Sequence, residues 1–386
     1  MDTLAAMELS DLKRRFEAVY RRPAEGAVRA PGRVNLIGEH TDYNGGFVMP
    51  IAIERETMIL YARRADGKIV FSSGRADAPV TIDAAGPIVP GQPQWANYCK
   101  GVAAGLSAAG VTLAGADLLI ESDVPLGGGL SSSASLEVAT ALALLEAAGA
   151  RGAIEPRALA LLCQKAENEF AGAPCGIMDQ SIAILGQAGH ALLLDCRDGA
   201  TRQLPFDDPR LVLLVADTQV KHDLADGGYG ARRNQCHAAA RKLGVQTLRE
   251  ASLGMLIASD LEGKERMRAS HVLGEIARTL QAAEALGAGD YRRFGRLMVE
   301  SHESLRKDYE VSCEELDAVV ALARAYPGVY GARMTGGGFG GCAIVLAEAA
   351  GAEAIKEHIA SGFAARFGRR CPIFATRAAG GASVLA

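Results

Sequence analysis

The segment DVPLGGGLSSSASLEVA at residues 123–139 constrains the fold more than any other part of the chain. It follows strand-like residues 116–120 and leads into a predicted helix over residues 135–148. Glycine lets backbone amides approach a ligand without a Cβ in the way. First-turn amides of a helix have no intrahelical partner and carry partial positive charge. Strand, glycine loop and helix in this order therefore predict a cradle for an anion, and phosphate is the natural guest.

Other interpretations of this segment fit less well. A flexible linker does not usually separate a buried strand from an alanine- and leucine-rich helix. The segment is not a Walker A loop, because G-x-x-x-x-G-K-[ST] occurs nowhere in the chain. The Gly-rich, H-R-D and D-F-G set of the protein kinases is also missing.

A second unusual segment is APGRVNLIGEHTDYNGG at residues 30–46. We expect Pro31 and Gly32 to form a rigid turn, since both residues interrupt regular structure. Polar side chains crowd the positions that follow, and such a set can hydrogen-bond several hydroxyls of a small polar ligand at once. The alternative is a solvated turn. The polar residues are Arg33, Asn35, Glu39, His40, Asp42 and Asn44.

Two further segments combine glycine with polar residues. FAGAPCGIMDQ at residues 170–180 places Asp179 before an apolar stretch, where a carboxylate must be paired or hydrogen-bonded. A helix N-cap is an equally good explanation of Asp179. On the same reasoning Glu167, on the preceding helix, is expected to be solvated. RMTGGGFGGC at residues 333–342 predicts a loop pressed against a ligand or another backbone.

Composition narrows the class of protein. The chain has 386 residues, with 41 Lys and Arg against 45 Asp and Glu and a net charge of −4, so it lacks the basic excess of a nucleic-acid binder. Its eight cysteines form no C-x-x-C pair, which favours a reducing compartment over a disulfide framework. Residues 1–22 predict an amphipathic surface helix, and no run approaches the roughly 18 apolar residues of a membrane span. We therefore expect a cytoplasmic protein that binds neither membrane nor nucleic acid.

Helical and strand-like segments alternate along the chain, which predicts a mixed α/β fold without repeats. A composition change at residues 199–209 places a domain boundary near residue 200, giving domains 1–200 and 201–386. The predicted strands are 57–61, 68–71, 116–120, 191–194 and 211–215. The predicted helices are 135–148, 156–170, 230–243, 267–286 and 290–307.

In order and spacing, the four segments resemble the signatures of the GHMP family of small-molecule kinases. Within that family, GRVNLIGEHTDY at residues 32–43 is similar to the galactokinase signature, and PLGGGLSSSA resembles the ATP-phosphate loop. Residues 93–98 and 311–316 are also galactokinase-like. The resemblance implies two lobes with the active site in the cleft between them. The N-terminal lobe would resemble the second domain of ribosomal S5, and the C-terminal lobe would be ferredoxin-like. A Rossmann sheet is a poorer alternative, because the glycine loop lacks G-x-G-x-x-G.

The resemblance further implies ATP-dependent phosphorylation of the C1 hydroxyl of D-galactose, with Mg²⁺, by a monomer or weak homo-oligomer. Asp179 and Arg33 would be catalytic, and we expect Arg33 to keep Asp179 ionised. The residues facing the sugar would be Arg33, Glu39, His40, Asp42, Asp179 and Tyr229. The nucleotide phosphates would lie on Gly127, Gly129, Ser131 and Ser132, the adenine near Trp95 and Tyr98, and Mg²⁺ near Ser131 and Glu167.

Two related functions remain open on sequence grounds. An N-acetylgalactosamine kinase shares the whole family framework, although EHTDYN at residues 39–44 favours plain galactose. A non-catalytic galactose sensor would bind ATP and sugar and act on a regulatory partner. Such a sensor is expected to lose residues of the serine-rich loop, which is uninterrupted here.

Overall fold

A computed structural model of the chain describes residues 8–220 and 228–385. The chain forms two lobes. The N-terminal lobe is built on a six-stranded sheet with strand order β13-β1-β3-β6-β4-β5. Its strands are β1 Gly26–Asn35, β3 Pro50–Arg64, β4 Lys68–Ser73, β5 Val80–Asp83, β6 Gly115–Ser122 and β13 Ser383–Leu385. Its helices are α1 Leu9–Tyr20, α2 Ala96–Ala108, α3 Ser132–Ala147, α4 Pro156–Ala166 and α5 Met178–Leu185.

A small antiparallel sheet links the lobes. It consists of β2 Phe47–Val48, β7 His190–Asp195 and β8 Thr201–Pro205, in the order β2-β7-β8. Strands β7 and β8 pair directly, with His190 opposite Pro205 and Leu194 opposite Thr201. The domain boundary predicted near residue 200 therefore falls in the turn of this hairpin.

The C-terminal lobe is a four-stranded antiparallel sheet covered by helices. Strands β9 Leu211–Asp217, β10 Val329–Met334, β11 Cys342–Glu348 and β12 Ile373–Thr376 are ordered β10-β11-β9-β12. That order, with helices between β9 and β10 and between β11 and β12, is the connectivity of a ferredoxin-like fold. The helices are α6 Gly228–Lys242, α7 Leu253–Ala258, α8 Gly263–Gly287, α9 Tyr291–Ser304, α10 Glu314–Arg324 and α11 Ala352–Phe367. The two-lobed fold implied by the resemblance is confirmed.

Most predicted elements are present, with shifted ends. The predicted strands lie within β3, β4, β6, β7 and β9. Helix α3 begins at Ser132 instead of residue 135, and α4 and α9 each continue into a π-helical turn, at Glu167–Ala171 and Leu305–Tyr309.

The turn predicted at Pro31 and Gly32 is wrong, because both residues lie inside strand β1. The register between β1 and β3 shifts between Pro31 and Arg33, so the break is a β-bulge within a continuous strand. A bulge accommodates a residue that cannot donate to the ladder and twists the strand locally. The strand therefore carries Arg33 and Asn35 into the space between the lobes.

The lobes share one apolar cluster. It combines N-terminal side chains such as Val34, Ile51 and Leu130 with C-terminal ones such as Ile344 and Leu346, all fully buried. The site between the lobes is therefore supported by a continuous core. Within residues 8–220 and 228–385, no helix is both long and apolar enough to cross a bilayer.

Candidate active site

The glycine loop that is predicted to cradle an anion lies between β6 and α3. Gly127 and Gly129 both have a φ of +72°, and Ser131, the N-cap residue of α3, also adopts the left-handed conformation at +60°. The Ser131 side chain makes no capping hydrogen bond to the first turn of α3. The first-turn amides are therefore left for a ligand, as expected of an anion-binding helix terminus. Gly127 itself is exposed at the open side of the loop.

The fourth glycine segment packs against this loop. A Cβ on Gly336 would lie 2.9 Å from the carbonyl oxygen of Gly129, and one on Gly341 would lie 2.9 Å from that of Gly128. Side chains at Gly336 and Gly341 would therefore displace the cradle. The prediction of a loop pressed against another backbone is confirmed, and the other backbone is the anion cradle.

Arg33 and Asp179 form a bidentate ion pair beside the cradle. Nε and Nη2 of Arg33 each donate to one carboxylate oxygen of Asp179, both at 2.8 Å. The same guanidinium donates to the carbonyl of Gly129, and the Ser131 hydroxyl donates to Asp179. Asp179 lies in the first turn of α5 and its side chain keeps 20% of its exposure, whereas Arg33 keeps 6%. The ion pair thus joins β1, the glycine loop and α5, and leaves part of the carboxylate accessible.

Glu39 is buried between the lobes. Its Oε1 accepts a hydrogen bond of 2.7 Å from the amide of Gly336 and lies 3.4 Å from Nη1 of Arg333. Nη1 of Arg333 also donates to the carbonyl of Asn35 at 2.9 Å. Burial raises the pKa of Glu39, although the two nearby arginines oppose that shift. Glu39 therefore joins residues 30–46, here called the sugar-signature segment, to the fourth glycine segment, residues 333–342.

Asp42 lies against the backbone of Gly176. A Cβ on Gly176 would overlap Oδ2 of Asp42, so only glycine fits there with the carboxylate in this position. Burial raises the pKa of Asp42 to about 7, and the charge of Asp179 adds to the increase. Asp42 and Gly176 also line a cavity of about 390 Å³, which extends toward Leu194 and α4.

His40 is enclosed by tyrosines. Its ring centroid lies 5.5 Å from that of Tyr229 and 4.6 Å from that of Tyr309, and its Nδ1 is 2.9 Å from the hydroxyl of Tyr43. Burial lowers the pKa of His40 to about 3, so the ring is neutral near pH 7. Tyr229, at the start of α6, thereby brings the C-terminal lobe to the sugar-signature segment.

Glu167 is buried, so the expectation that it is solvated is wrong. It retains 5% of its exposure, and the Gln180 side-chain amide donates to it at 2.7 Å and to Glu137 at 3.0 Å. Burial raises the pKa of Glu167 to about 7, against a hydrogen bond with Ser133 that lowers it. The π-helical turn at the end of α4 directs Glu167 toward the N-terminus of α3.

This donor set fits Mg²⁺ only together with a phosphate. Mg²⁺ prefers oxygen ligands, and protein sites often supply one or two of them beside phosphates and water. Glu167 and the serines at the start of α3 are oxygen donors. Among residues 8–220 and 228–385, no group of three His, Cys, Asp or Glu side chains could hold a metal alone. A metal here would therefore depend on the anion in the cradle.

Trp95 and Tyr98 lie at the start of α2, and both are half-buried. Trp95 packs against the core of the N-terminal lobe. Burial raises the pKa of Tyr98 to about 12, with a contribution from the charge of Glu167. Tyr98 therefore lies near Glu167 and Glu137.

The structure therefore brings the four segments to one cleft between the lobes. Several of its residues were not singled out in the sequence. Gly176, Arg333 and Gln180 stand within the segments, but their isolated identities give no sign of their contacts. Tyr43 and Tyr309 are 266 positions apart and meet through a hydroxyl contact of 2.7 Å. Only the folded chain reveals that pairing.

Family models match three parts of the chain. They are the galactokinase galactose-binding signature at residues 14–63, the GHMP kinase N-terminal domain at residues 97–187 and the GHMP kinase C-terminal domain at residues 282–365. The first covers the sugar-signature segment and the second covers the glycine loop with Glu167 and Asp179. The third includes the fourth glycine segment.

The chain is similar to curated galactokinases over nearly its full length. It is 51% identical to the galactokinase of Homo sapiens, an alignment that covers 98% of this chain and 96% of the relative. It is 45% identical to that of Roseiflexus sp. (strain RS-1), with 97% of each covered.

Among solved structures, a galactokinase of Lactococcus lactis complexed with galactose superposes with a TM-score of 0.94 at 32% identity. That match covers 98% of this chain and all of the other. The mevalonate kinase of Methanococcus jannaschii, at 20% identity and a TM-score of 0.65, shares the fold, with 92% of this chain and 98% of the other covered.

Proposed function

The chain belongs to the galactokinases within the GHMP kinases, which makes it an ATP-dependent sugar kinase, and we propose that Asp179 directs the C1 hydroxyl of D-galactose toward the γ-phosphorus of ATP. The products are galactose 1-phosphate and ADP. The observation that carries this proposal is the contact of Arg33 with both Asp179 and the glycine loop. Through this one arginine, the Asp179 carboxylate is held next to the glycine loop that is proposed to bind the phosphates.

The phosphoryl-transfer step needs alignment and charge stabilisation more than covalent help from the protein. Asp179 accepts a hydrogen bond from the C1 hydroxyl and receives its proton as the new O–P bond forms. Arg33 balances the charge of Asp179 and attracts the transferring phosphoryl group. The Ser131 hydroxyl donates to Asp179, and we propose that it donates to the phosphates instead when ATP binds.

Nucleotide binding is assigned to the cradle between β6 and α3. Amides of Gly127, Gly129 and the first turn of α3 donate to the phosphate oxygens, together with the hydroxyls of Ser131 and Ser132. Trp95 and Tyr98 contact the adenine. Ser131 and Glu167 would hold Mg²⁺ with the phosphates, and the ion would neutralise charge on the phosphate oxygens. The position of buried Glu167 beside Ser133, at the start of α3, supports this role.

Sugar recognition is assigned to Arg33, Glu39, His40, Asp42, Asp179 and Tyr229. A pocket of buried donors and acceptors discriminates strongly between hydroxyl configurations, because a misplaced hydroxyl leaves protein groups unpaired. We therefore expect the enzyme to select against glucose, whose C4 hydroxyl points the other way.

A coupled ADP-release assay across galactose, N-acetylgalactosamine, glucose and arabinose tests this function. We expect galactose to give the highest kcat/KM, and glucose to be lower by at least about 10²-fold. A preference for N-acetylgalactosamine would assign the chain to that kinase activity instead. If no ADP is released at saturating galactose and MgATP, the chain would instead be a non-catalytic galactose sensor.

A further inference from the structure

A line of thiol, hydroxyl and imidazole groups runs from the core of the C-terminal lobe to His40. The Sγ of Cys236 lies 3.0 Å from the hydroxyl of Tyr309, which lies 2.7 Å from the hydroxyl of Tyr43. That hydroxyl lies 2.9 Å from Nδ1 of His40, whose Nε2 is 3.2 Å from the carbonyl oxygen of Gly337. Cys236 and Tyr309 are fully buried. Cys236 and Tyr309 therefore find their hydrogen-bond partners within the protein and not in solvent.

The carbonyl of Gly337 fixes the direction of every hydrogen in this line. A carbonyl oxygen only accepts, so Nε2 of His40 carries the hydrogen, and Nδ1 of a neutral ring must then accept. The Tyr43 hydroxyl donates to Nδ1 and leaves its oxygen to accept from Tyr309. The Tyr309 oxygen in turn accepts from the thiol of Cys236.

The opposite direction is unfavourable. It would either turn the lone pair of Nε2 toward the Gly337 carbonyl or require a charged imidazolium. Burial lowers the pKa of His40 to about 3, with contributions from the neighbouring His271, Arg232 and Arg333. Burial also raises the pKa of the Cys236 thiol, so that the first donor in the line keeps its hydrogen.

We propose that Cys236, Tyr309 and Tyr43 are positioning residues that hold His40 in its Nε2–H tautomer through a one-way chain of hydrogen bonds. This rests on the proposed function only in that His40 faces the sugar. In this tautomer the single ring hydrogen is on Nε2, which already donates to the Gly337 carbonyl, so His40 can offer a sugar oxygen only a share of that donor and no acceptor. The hexose oxygen next to His40 must therefore accept, which makes the chain part of the sugar specificity.

The first test reads the tautomer directly in the sugar-free protein. In ¹⁵N-histidine spectra between pH 6 and pH 8, we expect a pyrrole-type resonance for Nε2 of His40 and a pyridine-type resonance for Nδ1. His40→Gln assigns the signals among the seven histidines. A pyridine-type Nε2, or two pyrrole-type nitrogens, would overturn the proposal. Neither result depends on kinase activity. The experiment can therefore refute the hydrogen-bond chain without refuting the proposed function, and the reverse.

The second test removes one link at a time. Tyr43→Phe and Tyr309→Phe keep the rings, and we expect each to move the Nδ1 resonance and to raise KM for galactose by about 3- to 10-fold, as for loss of one hydrogen bond. KM for ATP should stay unchanged. Tyr20→Phe is the matched control, since Tyr20 donates to Leu118 on the outer side of the N-terminal lobe.

Cys236 supplies a rescue experiment. Cys236→Ala removes the first donor and should shift the Nδ1 resonance in the same direction, whereas Cys236→Ser retains a donor and should restore the wild-type position. Equal spectra and equal galactose KM for the serine and alanine variants would show that the site needs only the volume of the side chain, and would refute a role for its hydrogen bond.

Discussion

Single side chains in this cleft serve several neighbours at once. The Arg33 guanidinium contacts both oxygens of Asp179 and the carbonyl of Gly129. It has little exposed surface, so its charge depends on Asp179 for compensation. A change at Asp179 is therefore expected to affect the position of the glycine loop as well as the proposed proton transfer.

Asp179→Asn tests the acceptor at the C1 hydroxyl. The amide keeps the shape of the side chain but removes the charge and the proton acceptor, so we expect kcat to fall by at least about 10²-fold. Steady-state kinetics with galactose and MgATP measures the loss, and circular dichroism checks the fold. Asp260→Asn, at an exposed position, is the control. Near-normal turnover in a folded Asp179→Asn protein would remove Asp179 from the mechanism.

Asp42 predicts a pH-dependent stability. Its pKa in the folded protein is about 7, above the ordinary value of about 3.9 for an unfolded chain. The stability that Asp42 contributes is thus fully present below about pH 4 and is lost as the pH rises toward 7. Asp42→Asn avoids that loss.

We therefore expect Asp42→Asn to increase the free energy of unfolding relative to wild type more at pH 8 than at pH 5, by on the order of 2 kcal/mol. Urea titrations at the two pH values measure this difference. Asp260→Asn should give the same small effect at both. A pH-independent difference for Asp42→Asn would show that the carboxyl titrates normally.

At the scale of elements, two glycine-rich loops from different lobes pack directly against each other. The loop after β10 can approach the loop before α3 because neither carries a Cβ at the contact. Gly336 has a φ of +86° as well as the close approach to Gly129. It therefore couples the C-terminal lobe to the glycine loop before α3.

Gly336→Ala is expected to raise KM for ATP several-fold while changing KM for galactose less. The added Cβ must push on the carbonyl of Gly129, which supports the cradle. Gly368→Ala is the matched control, since Gly368 has a φ of +70° and a Cβ added there would meet no atom within 4 Å. Gly368→Ala therefore has the same unfavourable left-handed backbone conformation, which costs about 1–2 kcal/mol, but no steric contact with another residue. Similar ATP kinetics for the two variants would contradict the coupling.

Sequence patterns predicted the elements better than their contacts. Composition alone predicts the apolar strands β7 and β9 and the alanine-rich helix α3. Strand β1 does not, because Pro31 and Gly32 are typical of turns and only pairing with β3 accommodates them. Glu167 belongs to a helix whose pattern gives no hint of burial. Its surroundings come from Gln180 and Glu137 on two other helices, and such tertiary contacts have no local signature.

At the scale of the whole molecule, the two lobes are joined by a shared core. Val34 and Ile51 of one lobe belong to the same buried cluster as Ile344 and Leu346 of the other. Arg333 adds a buried polar link to Asn35 and Glu39. Lobes joined in this way are expected to unfold together, since neither can lose the interface without exposing its own core.

Leu346→Ala tests that cooperativity. We expect the substitution to destabilise the chain by about 2–5 kcal/mol and to lower the urea midpoint reported by Trp95, the sole tryptophan, which lies in the other lobe. Fluorescence and far-ultraviolet circular dichroism should give superimposable transitions. Leu253→Ala, at a side chain with 63% exposure, is the control. An unchanged Trp95 midpoint in the Leu346→Ala protein would mean that the lobes unfold independently.

The strand β13 has a consequence for biosynthesis. Residues 383–385 pair with Ala27, Val28 and Arg29 at one edge of the N-terminal sheet. On the ribosome, this edge of β1 therefore stays unpaired until residues 383–385 have emerged, after the strands and helices of the C-terminal lobe. An unpaired edge is a template for association with other nascent chains. The N-terminal lobe thus reaches its final form only after translation has passed through the C-terminal one.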